Sequence, residues 1–399
     1  MKFLDLIAQY KSIKKEIDAA LKKVLDSANF IGGREVEEFE KEVAQFCGTK
    51  YAIGVNSGTD ALFLSLKALN IGPRDEVITT PFTFIATAGV IANCGAKPVF
   101  VDIEPRTFNI NPLKIEEYLK YKIRDTKYRI QPKAIIPVHL FGQMADMDEI
   151  MRIAKKYKLY VIEDAAQAIG ARLKSQIPNP KSQINPKSQI PNLEQEWKMA
   201  GSIGDVGCFS FFPSKNLGAY GDGGMIVTNN KNLADKIRLL RNHGSSPKEK
   251  YKNLILGTNS RLDAVQAAIL RVKLKYLTKW SKERAKKARI YEVGLRNIME
   301  VRLPYIAPNN THIFHQYTIR AKLRDKLQKY LKGKGIPTMI YYPLPLHLQP
   351  AFKYLGHKKG DFPESEKTAE EVLNLPIYPE LPKKEQDFVI KKIKEFYER

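Results

Sequence analysis

Cysteine is scarce: three in 399 residues, Cys47, Cys94 and Cys208, scattered along the chain and odd in number. No CxxC pair links them, which argues against a disulfide framework or a zinc site and for thiols in a reducing cytoplasm. No apolar run approaches the roughly 18 residues needed to span a bilayer. The opening MetLysPheLeuAspLeuIleAlaGlnTyr is interrupted by Asp5 and turns into a charged helical pattern, so it does not read as a signal peptide. HExxH, GxGxxG and P-loop patterns are missing, and with them any support for a metal, dinucleotide or ATP reading. Acidic residues are in deficit, 43 against 66 Lys and Arg, giving a net charge of +23. That balance first suggests nucleic acid or a membrane surface. The lysines, however, are spread over many helix faces (residues 11–23, 152–158, 271–289 and 382–394) and interleaved with Glu and Asp. With no helix-turn-helix segment beside them, they read as a solvated surface, compatible with an anionic small substrate. A DNA-binding regulator is the reading from a different class, and these features disfavour it.

What is present is a globular composition, 43% hydrophobic and 10% aromatic. A chain of this length suits one large domain plus a smaller one. Helical spacing of Ile13, Ile17, Ala20, Leu21, Val24 and Leu25 predicts a helix over about 12–26, and Val36 to Phe46 repeat the pattern. From residue 51 short apolar strands alternate with helical pieces. The strands are Tyr51–Val55, Glu76–Thr80, Lys97–Ile103, Ala134–Leu140 and Leu159–Ala165, with helices that include Asp60–Leu69, Ile115–Leu119 and Asp148–Tyr157. Such alternation implies an α/β domain with a mainly parallel sheet, whose ligands collect at the carboxyl ends of the strands. Residues 174–198 break the pattern with tandem LysSerGlnIleProAsn-like copies, expected to form an exposed inserted loop. The expected division is a large domain over 1–245 and a smaller α+β domain over 246–399. The smaller one contains a long linking helix (263–296), a strand (313–321) and helices over 325–332, 364–375 and 384–397.

The chemistry concentrates around CysPheSerPhePheProSerLysAsnLeuGlyAlaTyrGlyAspGlyGlyMet, residues 208–225. Lys215 sits in a polar turn after an apolar strand, followed by a glycine-dense return. Taken alone, it reads equally well as an exposed loop lysine. Three other clusters lie at strand ends. AsnSerGlyThrAspAla, 56–61, opens a helix and exposes backbone N–H groups and hydroxyls, a phosphate cup or a plain N-cap. ValIleGluAspAlaAlaGlnAla, 161–168, closes a buried strand with Asp164, which needs a positive partner or strong donors unless it caps the following helix. ProPheThrPheIleAlaThr, 81–87, offers aromatics that stack a planar ring or pack in the core. Together these parts match what pyridoxal 5'-phosphate demands: a lysine for a Schiff base, a carboxylate against the pyridinium nitrogen, and amides for the phosphate.

On AsnSerGlyThrAspAlaLeu, GluAspAlaAlaGlnAla, PheSerPhePheProSerLys, GlyAspGlyGly, AsnSerArgLeuAsp and TyrTyrProLeuProLeuHis, in that order, the chain resembles the DegT/DnrJ/EryC1/StrS family of sugar aminotransferases. The resemblance runs from PheLeuAspLeu at 3–6 to LeuProIleTyrProGluLeu at 375–381. It implies the α/β architecture of fold type I PLP-dependent transferases, similar to aspartate aminotransferase. It also implies that Lys215 carries the cofactor, Asp164 pairs with the ring nitrogen and Gln167 contacts the ring hydroxyl. Phe84 would stack on the ring, while Gly58, Thr59 and Ser210 would bind the phosphate. Asn259 would reach the phosphate of the neighbouring subunit in a homodimer with shared sites. His315 and His347 match positions lining the sugar site, although His312 and His315 taken alone read as surface histidines. Arg241 and His243 are candidates for a substrate or donor carboxylate, or for capping a helix end.

The implied reaction moves an amino group from L-glutamate to a nucleotide-linked keto sugar, for cell-surface polysaccharide or aminosugar biosynthesis. No metal, membrane or nucleic acid is expected to take part. AsnSerArgLeuAsp and TyrTyrProLeuProLeuHisLeuGln resemble branches acting at C3 of 3-keto sugars, uronates included. Amination at C4 of a 4-keto-6-deoxy sugar and amination of a keto-cyclitol are the alternatives. The insertion at 174–198 departs from the family pattern.

Overall fold

A computed structural model describes residues 1–124, 132–175, 196–249 and 251–398. Two amphipathic helices lead the chain. α1 (Leu6–Ser27) begins ahead of the expected residue 12, because the Asp5 side chain accepts the Ala8 N–H and caps it. α2 (Arg34–Cys47) carries Glu35 and Glu37 in its first turn and stops on Gly48, whose φ of 70° costs a glycine little.

The strand-helix alternation follows as β1 (Tyr51–Val55), α3 (Gly58–Ala68), β2 (Glu76–Thr79), α4 (Ile85–Asn93) and β3 (Lys97–Phe100). It continues through α5 (Pro112–Arg124), β4 (Pro132–Ile135), α6 (Met147–Tyr157) and β5 (Tyr160–Asp164). Helix α4 was not among the expected elements: its sequence is apolar on nearly every side, so it has no helical period to read. Strands β3 and β4 stop well short of Ile103 and Leu140, and the freed residues become the loops that carry polar groups.

The segment expected as an open loop over 174–198 is different at its stems. β6 (Arg172–Ser175) and β7 (Glu196–Met199) pair antiparallel, Lys174 opposite Trp197. Two chain segments leaving for one excursion must start side by side, and pairing satisfies their backbone groups. The Pro/Asn repeats between them lie outside the described residues.

β8 (Val206–Ser210), β9 (Gly224–Thr228) and α7 (Lys231–Leu240) complete the first part. Among the described residues the main sheet has seven strands in the order β1-β9-β8-β5-β4-β2-β3. β9 runs antiparallel to both its neighbours and the other pairings are parallel, so the sheet is mainly parallel as expected. Consequently β1, β2, β4, β5 and β8 all end on one edge, and apolar clusters pack both faces of the sheet.

The long α8 (Ala264–Leu295) packs its first half on α1 and α2 and its second half on a separate apolar cluster. That cluster is built from the sheet β10-β11-β12 (Val301–Arg302, Tyr317–Ala321 and Val372–Leu375) with α9 (Arg324–Gly333) and α11 (Lys383–Tyr397). The helix expected over 364–375 is instead α10 (Pro363–Glu371), followed directly by β12. ValLeuAsnLeu is too short an apolar run to reveal its period, and pairing with β11 decides for a strand. No helix of the described residues is long and apolar enough to cross a membrane.

Candidate active site

The carboxyl edge of the sheet gathers the turns after β1, β2, β5 and β8. After β1, Ser57 caps α3 by accepting the Asp60 N–H at 3.0 Å. The cap reading therefore holds, and beside it the Gly58 and Thr59 N–H groups find no acceptor among the described residues. Across from it β8 ends in Ser210. A Cβ on Gly58 would sit 2.6 Å from the Ser210 Cβ, so only glycine lets the two turns approach this closely. The segment carrying Asn259 runs alongside, its neighbour Ser260 accepting the Asn56 N–H at 3.0 Å, and Asn259 itself is exposed.

Past Ser210 the chain leaves the sheet and turns. The Lys215 N–H donates to the Phe212 carbonyl at 2.8 Å and Ala219 returns its N–H to Phe211 at 2.7 Å. The close return requires Gly218, since a Cβ there would lie 2.3 Å from the Pro213 carbonyl oxygen. Lys215 is half-buried. Loss of water around its ammonium pushes its pKa down to about 8, against the opposing pull of the Asp164 carboxylate.

Asp164 ends β5 and is 5% exposed. Its Oδ2 accepts the Thr87 hydroxyl at 2.8 Å and its Oδ1 accepts the Ala166 N–H at 3.2 Å. Thr87 lies 3.1 Å from the Thr83 hydroxyl, so a short relay of hydroxyls leads from the β2–α4 turn to the carboxylate. Burial nevertheless raises the Asp164 pKa, with Thr87, Ala166, Lys215 and His139 pulling it the other way. Gln167 accepts the Phe141 N–H at 2.8 Å and donates to the Tyr342 hydroxyl at 3.2 Å, which fixes its amide. Tyr342 stands 6.3 Å from the ring of Phe84, which is 53% exposed. Thus Lys215, Asp164, Gln167, Phe84, Ser210, Gly58 and Thr59 share one edge of the sheet.

His315 is not a surface residue, and His312 is half-buried. His315 is 6% exposed and its Nδ1 donates to the Asn216 carbonyl oxygen at 2.9 Å, because the Asn216 amide nitrogen is turned toward Ile313 O. Burial and the charges of Lys215 and Arg284 hold its pKa well below the usual value, so the ring is neutral and next door to Lys215. Burial likewise takes His312 down to about 3.

The remaining candidates are engaged elsewhere or exposed. His347 is packed against Phe362 and bonded to Glu366 at 3.0 Å. Arg241 donates to Glu40 and to the Gly54 carbonyl, fastening α7 to β1 and α2, and His243 is exposed. Thr83, Thr87, Asn216, His139 and Tyr342 were not singled out from the sequence. For Thr83 and Thr87 a signal existed, since two hydroxyls at helical i,i+4 spacing open an otherwise apolar helix.

Known proteins resemble this chain along nearly its whole length. A pleiotropic regulatory protein of Geobacillus stearothermophilus is 50% identical over 99% of this chain and 98% of its own length. The dTDP-3-amino-3,4,6-trideoxy-alpha-D-glucose transaminase of Streptomyces venezuelae is 40% identical over 100% of this chain and 96% of its own. The crystal structure of ntda from Bacillus subtilis with bound cofactor PMP superposes with a TM-score of 0.83 at 32% identity, covering 97% of this chain and 82% of that one. With its sequence model matched over residues 11–394, the DegT/DnrJ/EryC1/StrS aminotransferase family is the one to which this chain belongs, and pyridoxal 5'-phosphate is its cofactor.

Proposed function

We propose that this aminotransferase carries the amino group of L-glutamate to C3 of a nucleotide-linked 3-keto sugar, working as a homodimer with shared active sites. The observation that carries this reading is the placement of a half-buried, desolvated Lys215 beside a buried Asp164 that has too few donors of its own. The cofactor fits the residues present. The free Gly58 and Thr59 N–H groups at the start of α3, with the Ser210 hydroxyl on the turn packed against them, suit its phosphate. Asp164 suits its protonated ring nitrogen, which is the positive partner that a buried carboxylate wants. Gln167 would meet the ring hydroxyl and Phe84 the ring face. Bound there, the cofactor supplies a carbonyl that exchanges for the amino group and a ring that accepts the electrons released at the amino-bearing carbon.

The chain's own residues divide the remaining work. With a pKa of about 8, Lys215 gives up its proton closer to neutrality than an exposed lysine, and its Nζ takes and returns the proton at the amino-bearing carbon. Asp164 stays ionised and holds the ring nitrogen protonated. Neutral His315, oriented by Asn216 through Nδ1, keeps its Nε2 as an acceptor and lines a cavity beside the Lys215 turn. Phe84, Ile85, Phe212 and Tyr220 are exposed around the Lys215 turn, an apolar rim of the kind a second copy of the chain covers. Asn259, exposed on the neighbouring segment, would serve the partner's phosphate site.

The C3 assignment draws support from the Streptomyces transaminase, whose name specifies a 3-amino sugar. The DNA-binding reading is set aside, because the family match to an aminotransferase runs over nearly the whole chain. The test is to incubate holoenzyme with L-glutamate and a panel of 3-keto and 4-keto nucleotide sugars and a keto-cyclitol, and to weigh the products. A mass gain confined to 3-keto sugars is expected; amination of the 4-keto set or of the cyclitol alone overturns the C3 reading. Lys215→Ala should lose both the cofactor's long-wavelength band and amino transfer. Retention of transfer would remove Lys215 from its role.

A further inference from the structure

Helix α8 carries a buried apolar stripe through Val272, Leu277, Trp280, Ala288 and Tyr291, and two charges fall within it. Lys273, 1% exposed, donates its ammonium to the Gly218 carbonyl and lies 5.0 Å from the ring centre of Tyr220. Its charge is accounted for. Arg284, 5% exposed, is not satisfied in the same way. Its Nη1 donates to the Ile377 carbonyl at 2.8 Å and to the Phe314 carbonyl at 3.2 Å. A guanidinium has five N–H donors, and these two bonds use only the pair on Nη1. The Nε and Nη2 donors, which form one straight edge, have no acceptor among the described residues. Unlike the Nε of Arg261, they are not sealed away from open space.

Open space is what they meet. Arg284 lines a cavity of about 490 Å³ together with Ser214, His315, Gln316, Met339 and Tyr341. Ser214 is the residue before Lys215, so the cavity adjoins the catalytic turn. His315 is neutral there and adds no charge. Among the described residues Glu380 is the carboxylate whose charge reaches Arg284, and it also acts on Lys273. Neither Glu380 nor Lys273 lines the cavity; of the charged side chains that do, Lys2 is paired with Asp5 at 3.0 Å, which leaves Arg284 as the cation of the wall with no carboxylate in contact among the described residues. A planar group with two oxygens matches the Nε–Nη2 edge by two parallel N–H···O bonds.

We propose that this cavity is a carboxylate subsite of the active site, with the Nε–Nη2 edge of Arg284 as its anchor. The proposal rests on the aminotransferase reading above and extends it to how an acidic substrate is held. The carboxylate comes from one of two sources, the amino-acid donor or C6 of a uronate keto sugar, and the test separates them.

The experiment follows the cofactor spectrum of holoenzyme during conversion by L-glutamate and by sec-butylamine, which has no carboxylate. Product formation is then measured with keto sugars that have or lack a C6 carboxylate. Two variants are compared with the parent. Arg284→Lys keeps the charge and loses the fork, and Met339→Glu plants a competing carboxylate in the cavity without touching the Arg284 carbonyl bonds. If the donor is the ligand, both variants raise the glutamate concentration needed for half-maximal conversion by about 10-fold or more, with sec-butylamine unchanged. If the sugar is the ligand, glutamate conversion is unchanged and the preference for the uronate over its uncharged counterpart collapses. Either result supports the subsite. Parent-like constants for every substrate in both variants, with the cofactor band and melting temperature retained, overturn it. Should the parent itself show no conversion by any amine, the aminotransferase reading fails and the subsite falls with it, a result unlike any of the others.

Discussion

Glu163 and Asp164 are consecutive residues of β5, 0% and 5% exposed, and the alternation of a strand sends them to opposite faces of the sheet. Their surroundings could hardly differ more. Glu163 accepts four hydrogen bonds: from Gly201, Ile203 and Gly204 N–H at 2.8, 2.7 and 2.6 Å, and from His139 Nε2 at 2.8 Å. His139 is set up to donate, since its Nδ1 is occupied by the Ala145 N–H. Asp164 accepts two bonds, and burial raises its pKa in spite of them. A buried carboxylate with a full set of donors is a structural tie, here knotting the 201–204 loop and the loop after β4 to β5. A buried carboxylate left short of donors at a strand's carboxyl end has room for a cation from outside the chain. The difference in donor count, not in burial, distinguishes the two.

The comparison breaks most sharply at Asp164. Asp164→Asn keeps the shape and the Thr87 contact but cannot hold a protonated ring nitrogen, so kcat for amino transfer should fall by about 10²–10⁴-fold. The melting temperature should stay near the parent's or rise, because a strained buried charge has been removed. A variant that transfers amino groups at the parent rate would make Asp164 a second structural tie. Glu163→Ala should do the reverse. It strands three backbone N–H groups and His139 in the core, a cost of about 3–5 kcal/mol. Chemical denaturation should show that loss, while the protein that remains folded keeps its cofactor spectrum. Loss of the spectrum without loss of stability would merge the two roles.

What could be read from the sequence follows from how local each signal is. Lys215, Asp164 and the Ser57–Thr59 turn were legible because strand-then-turn chemistry lies within a few consecutive residues, and the structure brings them to one edge. Helix α4 and strand β12 were not, since a short, uniformly apolar run has neither period. Thr87 and Asp164 are 77 residues apart in sequence, and only the tertiary fold, which brings the first turn of α4 to the carboxyl end of β5, joins them. Taken alone His315 reads as a surface residue, because its spacing from His312 says nothing about burial; only the family resemblance points to it. Arg284 had a faint signature: it falls four residues after Trp280, on the apolar face of α8, where a charge needs a reason.

Thr87→Val is the finest test of the comparison, because it takes one donor from the side that has few. The hydroxyl donates to Asp164 and its removal leaves Thr83 without its own acceptor on that relay. A hydrogen bond to a charged group is worth about 1.5–3 kcal/mol, or about one to two pH units for the acid that receives it. The sign is fixed by which form the bond favours. Thr87 favours ionised Asp164 and so lowers its pKa; without it burial acts less opposed and the pKa rises further above the ordinary carboxylate range. Amino transfer needs the ionised form, so the acid limb of the pH–rate profile should move upward in Thr87→Val, with the rate at its plateau little changed. A Thr83→Val variant removes a hydroxyl one step further out and should move the limb in the same direction by less. An acid limb that stays in place in both variants would mean that the bound cofactor alone sets the ionisation of Asp164. The donor count on β5 would then not govern the working enzyme.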